Sequence, residues 1–203
     1  IAGSVGSGGH LHLSLVGPQG PLFGGGSQVG GLTDVGASVV AALVAHTPAL
    51  LAVGCPLAAS YDRLRPNRWA GAFQMWGIEN REAAVRLVPG AGDPATSNLE
   101  VKTPDLAANP YLLVGAVLAL VRDGLRTYQE PPAPVVGVPA DGSQTRLPST
   151  LWDATQAFRV DAVLADALGA DLHTSIAENR EAEVRRTHGW SIDDVVASTR
   201  WWI

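Results

Sequence analysis

Residues 6–15 read GSGGHLHLSL. From position 10 onward polar and apolar residues alternate: His10, His12 and Ser14 against Leu11, Leu13 and Leu15. A period of two predicts a half-buried strand over 10–15, with the three polar side chains on one face. Its two imidazoles would stand about 7 Å apart by strand rise. That spacing suits a metal or a phosphate, and it equally suits two surface histidines on an edge strand. The glycines do not form a phosphate loop, because Gly8 is followed by Gly9 and His10 rather than by Lys and then Ser or Thr. A dinucleotide-binding turn needs a strand before its glycines and a helix after them, and here a strand follows.

Outward from this strand, the chain alternates short polar-faced segments with apolar helices. A Gly/Pro-rich loop is expected over 17–31. A helix then follows over about 35–46, capped by Thr33 or Asp34 and stopped by Pro48. Short strands are expected over 73–76 and 83–88, with GIENRE between them as a polar turn. In NLEVKT (98–103) Glu100 and Lys102 share one face and Leu99 and Val101 the other, and Pro104 ends the segment. A helix over 107–125 tolerates Pro110 in its first turn. The stretch 131–146 reads as a Pro/Gly-rich loop, and 147–203 as three helices capped by Ser149, Asp161 and Ser191. Strands first and helices last make an α+β chain.

Composition limits the function. The 203 residues are 46% hydrophobic and 16% charged, with a formal net charge of -5. Such a chain folds, and it lacks the basic surface that nucleic acid would require. Cys55 is the single cysteine, which rules out an internal disulfide and a thiolate metal cluster and fits an intracellular compartment. The longest apolar run, 111–121, stops at Arg122 and Asp123 and is too short to span a bilayer, so no membrane partner is expected.

Three arginines, Arg63, Arg81 and Arg86, are candidates for gripping carboxylate or phosphate through a bidentate fork. Arg63 and Arg81 lie in punctuated loops, where binding residues collect. Glu100 is a candidate hard-metal ligand. Of the tryptophans, Trp69 alone sits in the Arg-rich loop; Trp76, Trp152, Trp190, Trp201 and Trp202 read as packing anchors.

Taken in order, these blocks resemble the glutamine synthetase family, over the second half of its catalytic domain. GSGGHLHLSL resembles the family's Gly-Ser-Gly-x-His-x-His-x-Ser-Leu strand, and ASYDRLRPNRWAG its Asn-Ser-Tyr-x-Arg-Leu-x-Pro loop. WGIENREAAVRL is similar to Asn-Arg-x-Ala-x-x-Arg, and LEVKTPDLAANPYL to Glu-x-Arg-x-Pro-Asp-x-x-Ala-Asn-Pro-Tyr-Leu. LPSTLWDA resembles the start of the family's last helices.

The resemblance implies the C-terminal part of a glutamine synthetase/guanido kinase-type catalytic domain: antiparallel strands, packed helices and a helical C-terminus. It would have a strand-rich active-site part with a long helix over 1–130, a loop over 131–146 and terminal helices over 147–203. The N-terminal β-grasp domain and the first half of the catalytic domain would be absent. It implies ATP-dependent ligation of glutamate, through a γ-glutamyl phosphate, to ammonia or an organic amine. ATP and Mg2+ or Mn2+ would be cofactors, in a cytoplasmic, ring-shaped homo-oligomer.

Carried over by position, His10 and Glu100 would hold a metal, and His12 and Ser14 would lie along the nucleotide. Gly6 and Arg63 would bind glutamate, Arg81 and Arg86 would clamp the phosphoryl group in transfer, and Lys102 and Trp69 would face substrate. Three departures stand out: Val5 replaces a family Asn, Lys102 a family Arg, and Trp69 the Glu that deprotonates ammonium in ammonia-using members. A Trp cannot serve as that base, which points to an organic amine. With only His10 and Glu100 as metal ligands, the fragment alone is expected to be inactive. The alternatives are a non-catalytic relative and a His-x-His metallohydrolase, the latter needing further His and Asp ligands at later strand ends.

Overall fold

The computed structural model describes residues 7–140 and 142–200. Strand β1 (Leu11–Leu13) leads into a two-stranded hairpin, β2 (Val16–Gly17) and β3 (Gly20–Pro21), inside the segment expected to be loop. Helix α1 (Asp34–Gly54) follows, then β4 (Phe73–Ile78), β5 (Ala83–Val88) and β6 (Asn98–Val101). Helices α2 (Pro110–Thr127), α3 (Leu151–Val160), α4 (Ala162–Leu168), α5 (Ala170–Thr187) and α6 (Ile192–Thr199) complete the chain. The expected three terminal helices are four, because Asp161 ends α3 as it caps α4, and Gly169, at φ 75, separates α4 from α5.

Helix α1 is apolar on nearly every side, as a helix enclosed by neighbours must be. It packs against β4, β5, α2 and α3. Its length and composition alone would let it cross a membrane, but most of it is buried within the fold. Thr33 caps it, its hydroxyl accepting the Gly36 N–H, as the sequence suggested.

The helix nevertheless continues through Pro48. Proline lacks the N–H that would bond to the Val44 carbonyl four residues back. Here the Gln74 side chain replaces it, Nε2 donating to Val44 O and Ala45 O at 3.1 Å each. A partner from the sheet removes the penalty that makes proline a stop signal.

The main sheet runs in the order β1-β6-β5-β4. β6 is antiparallel to both β1 and β5, as the resemblance implied, but β4 and β5 are parallel. The sheet is therefore mixed. Residues 79–82 do not pair β4 and β5 as a hairpin: Glu79 is left-handed at φ 50, and a tight turn follows in which the Ala83 N–H donates to Asn80 O at 3.3 Å. Two of their polar side chains, in a stretch that reads as a solvated turn, are buried: Asn80 is 6% and Glu82 4% exposed, while Glu79 and Arg81 face solvent. Asn80 Nδ2 donates to the carbonyls of Val135 (2.8 Å) and Gly137 (2.9 Å), and its Oδ1 accepts the Glu82 N–H.

Those contacts also show that 131–146 is not a slack linker. Trp76 Nε1 donates to Pro132 O at 2.6 Å, Val135 N to Trp76 O, and Gln74 N to Thr145 O. The segment lies along β4 and covers that end of the sheet.

Candidate active site

Register sets the two faces of the sheet. Leu11, Val101 and Val85 lie in one cross-strand row and Leu13, Leu99 and Leu87 in another, facing the core. Between them, on the opposite face, His12 pairs with Glu100 and Glu100 with Arg86. The alternation read from 10–15 is thus realised, and its polar partners come from two other strands.

Glu100, on the central strand β6 and 2% exposed, is the hub. His10 Nδ1 lies 2.6 Å and His12 Nε2 3.5 Å from its Oε1, with Lys102 Nζ at 3.7 Å. Arg86 Nε lies 2.6 Å from Oε2, but the pair is not aligned as a hydrogen bond, and both atoms are buried without a hydrogen-bond partner. Burial and the neighbouring Lys102 charge hold His10 below its ordinary pKa, against the pull of Glu100. Lys102 is also held low, by burial first and by Arg86, with Glu100 opposing.

This donor set fits a divalent cation. An imidazole disfavoured in its charged form keeps a lone pair free, and Glu100 Oε2 is a buried carboxylate oxygen without a hydrogen bond. One imidazole and one carboxylate suit magnesium or manganese rather than a soft metal. Among the described residues, no group of three or more His, Cys, Asp or Glu is arranged around a metal position. Arg86 and Lys102 beside the carboxylate add the positive charge that a phosphoryl group attracts.

The other residues named from the sequence divide. Arg63 approaches the same region from the end of the turn at 58–63: Nη2 donates to the carbonyls of Thr103 and, at 3.0 Å, Pro104. Its Nε is buried without a partner, and Gly8 packs beside Nη1, where a Cβ would lie in contact at 3.4 Å. Part of the guanidinium is therefore committed to backbone. The Gly8 region is pinned opposite, Gly9 N donating to Pro104 O and Leu106 N to Ser7 O. Ser14 Oγ donates to Ser97 O, and His12 Nδ1 bonds Asn98 Oδ1 at 2.8 Å. Gly6 and Val5 lie outside the described residues.

Arg81 and Trp69 form a separate pair. The Arg81 guanidinium stands 5.7 Å from the Trp69 ring centroid, and Trp69 is 56% exposed. Beneath them lies a residue that sequence reasoning passed over. The buried Glu82 carboxylate accepts the backbone N–H of Asn67 at Oε2 and of Trp69 at Oε1, both at 3.1 Å. Its place at the end of the polar run 79–82, directly before the apolar strand 83–88, was the only local signal. Asn98 was also missed, although it shares the parity of Glu100 and Lys102.

Cys55 lies behind Arg63, fully buried, its thiol donating to Thr103 O at 3.0 Å. Burial, with Asp105 nearby, pushes its pKa up to about 12, so it is no nucleophile. A larger apolar cavity of about 680 Å³, lined by Tyr61, Leu64, Trp152, Val184 and Trp190 among others, contains none of the residues around Glu100.

With the sheet face assembled, the family can be stated. The chain belongs to the glutamine synthetase catalytic-domain family, whose model, "Glutamine synthetase, catalytic domain", matches residues 1–194. Among its relatives, it is 43% identical to the gamma-glutamylpolyamine synthetase GlnA3 of Streptomyces coelicolor, over 97% of this chain and 44% of that protein. It is 31% identical to the glutamine synthetase of Thermus thermophilus, over 98% and 47%. A solved structure described as a novel glutamine synthase homolog superimposes with a TM-score of 0.80 at 33% identity, covering 95% of this chain and 44% of that one. Apo GmaS gives 0.78 at 31%, over 99% and 46%. The chain spans less than half the length of these relatives.

Proposed function

We propose that this chain is the C-terminal portion of the catalytic domain of a cytoplasmic, ATP-dependent ligase that joins the γ-carboxylate of glutamate to an amine. In this reaction a γ-carboxylate oxygen attacks the γ-phosphorus of ATP and ADP leaves. The amine nitrogen then displaces phosphate from the acyl carbon, releasing a proton. The observation that carries the reading is the convergence of His10, His12, Arg86 and Lys102 on the buried Glu100 carboxylate. Both charge-developing steps need such preorganised positive groups. His10 and Glu100 would hold magnesium or manganese, which when bound neutralises phosphate charge. Arg86 and Lys102 would orient the phosphoryl oxygens, His12 and Ser14 would flank the nucleotide, and Arg63 with Gly6 would receive glutamate.

An organic amine is the favoured acceptor. Trp69, where ammonia-using members of the family carry a Glu base, offers an indole face and no proton acceptor. The 43% identity to a protein named a gamma-glutamylpolyamine synthetase supports the same choice. The working enzyme is proposed to be a ring-shaped homo-oligomer, and the chain alone, with two metal ligands, to be inactive. Phosphate release from ATP by the full-length gene product, with glutamate and ammonium, ethanolamine or polyamines, tests the reading. Turnover with ammonium alone rejects the organic acceptor. Silence with every amine rejects the ligase and favours a non-catalytic homologue.

A further inference from the structure

We infer that Glu82 is the positioning residue for the acceptor side of the site: its buried carboxylate locks the loop 66–70 so that Trp69 and Arg81 form a fixed wall for the amine. The inference rests on the ligase reading above.

Asn67 and Trp69 both occupy left-handed backbone conformations, at φ 61 and φ 55. Neither is glycine, and a bulky residue there is disfavoured unless something overdetermines it. Two backbone N–H groups presented by such a loop form a concave anion site, and Glu82 fills it with one oxygen for each N–H. The carboxylate is itself held from behind, since the Asn80 side chain accepts the Glu82 N–H and ties that peptide to residues 135 and 137. The load path runs from residues 135–137 beside β4, through Asn80 and Glu82, to the backbone of Trp69.

What this positions is chemically specific. Trp69 is half exposed, and the guanidinium of Arg81, the residue immediately before Glu82, stands 5.7 Å from its ring centroid. One peptide unit therefore carries the loop's anchor and the cation that packs on the loop's indole. With Arg81 over the ring on one side, the exposed remainder of the indole suits the alkyl portion of an organic amine lying along it. Ammonium itself has no alkyl portion to use it.

The experiment uses the full-length gene product and Glu82→Gln. The replacement is isosteric, but its NH2 must face one of the two backbone N–H donors, so one hydrogen bond is lost. Hydrogen exchange by mass spectrometry is expected to show at least tenfold faster exchange at the peptide containing Asn67 and Trp69. The KM for the amine is expected to rise about tenfold while the KM for ATP stays within twofold. Trp69→Ala should raise the amine KM similarly, and the double variant should be no worse than Trp69→Ala alone. Unchanged exchange, equal shifts in both KM values, or additive effects in the double variant overturn the inference. If Glu82→Gln fails to fold, Glu82→Asp, too short to reach both amides, carries the same measurements. A wild type silent with every amine rejects the ligase reading instead, and the exchange measurement then decides the anchoring by itself.

Discussion

At the residue scale, the balance around Glu100 decides stability and, under the function proposed above, metal affinity. Its single negative charge compensates Arg86 and the almost fully buried Lys102. Glu100→Gln removes the carboxylate nearest both cations, leaving Lys102 only the more distant Glu82 charge, and breaking a buried pair in this way costs about 3 kcal/mol or more. Urea denaturation should show that loss. Manganese titration of the full-length gene product should show affinity falling at least tenfold in the same variant, and an unchanged metal affinity would remove Glu100 from the ligand set. Much of this cluster was legible in the sequence, because a period of two in 10–15 and 98–103 places His10, His12, Glu100 and Lys102 on common faces. The strand partnership between β1 and β6 was not, since 86 residues separate His12 from Asn98 and nothing local encodes their register. Glu82 escaped for the opposite reason: a carboxylate flanked by Asn80 and Arg81 resembles a solvated turn until tertiary contacts bury it.

At the element scale, α1 carries two tests. Gln74→Ala removes the donor that satisfies the Val44 and Ala45 carbonyls beside Pro48, and should cost about 1 kcal/mol in urea denaturation. In a Pro48→Ala background the helix regains its own N–H, so the Gln74→Ala cost should shrink. An equal cost in both backgrounds would sever the link between the two residues. The crossing of α1 and α2 depends on Gly124, where a Cβ would lie 2.6 Å from Val39 Cα and 2.9 Å from Ser38 O. Those atoms are backbone and cannot rotate away. Gly124→Ala should therefore destabilise by about 1–3 kcal/mol, read as a lowered thermal midpoint. Helix existence was readable from the sequence here, but the end of α1 was not, because Pro48 is a stop signal only when no other group supplies the missing hydrogen bond.

At the scale of the whole molecule, His46 joins distant parts of the chain. Its Nδ1 lies 2.6 Å from Asp161, at the junction of α3 and α4, and its Nε2 3.9 Å from Asp123 on α2. The Asp161 hydrogen bond raises the His46 pKa, against burial and with help from both carboxylate charges. Burial pushes Asp161 up, but His46 and the Leu164 and Val163 amides outweigh it and leave Asp161 low. A raised folded value means that the stabilisation is complete below the unfolded value of about 6.5 and fades as pH rises through the folded one. The stability difference between wild type and His46→Asn should accordingly be largest near pH 6 and decline towards pH 9. A difference that is flat or grows with pH would contradict the contact. Taking a difference cancels the contribution of His10, whose lowered pKa acts in the opposite direction. The resemblance conveyed the general architecture in advance. The parallel pairing of β4 with β5 lay beyond it, because a four-residue link between two strands ordinarily signals a hairpin, and the tertiary contacts that bury Asn80 and Glu82 are not encoded locally.

The sealed thiol of Cys55 has a use beyond packing. Fully buried, bonded to Thr103 O and with its pKa near 12, it is shielded from alkylating reagents in the closed molecule. It is also the single sulfhydryl of these 203 residues, so the peptide that contains it reports opening of this region through one label. Peptide-level mass counting of iodoacetamide adducts at Cys55 therefore clocks how often the layer beneath Arg63 comes apart. Glutamate or nucleotide that engages Arg63 should slow that clock.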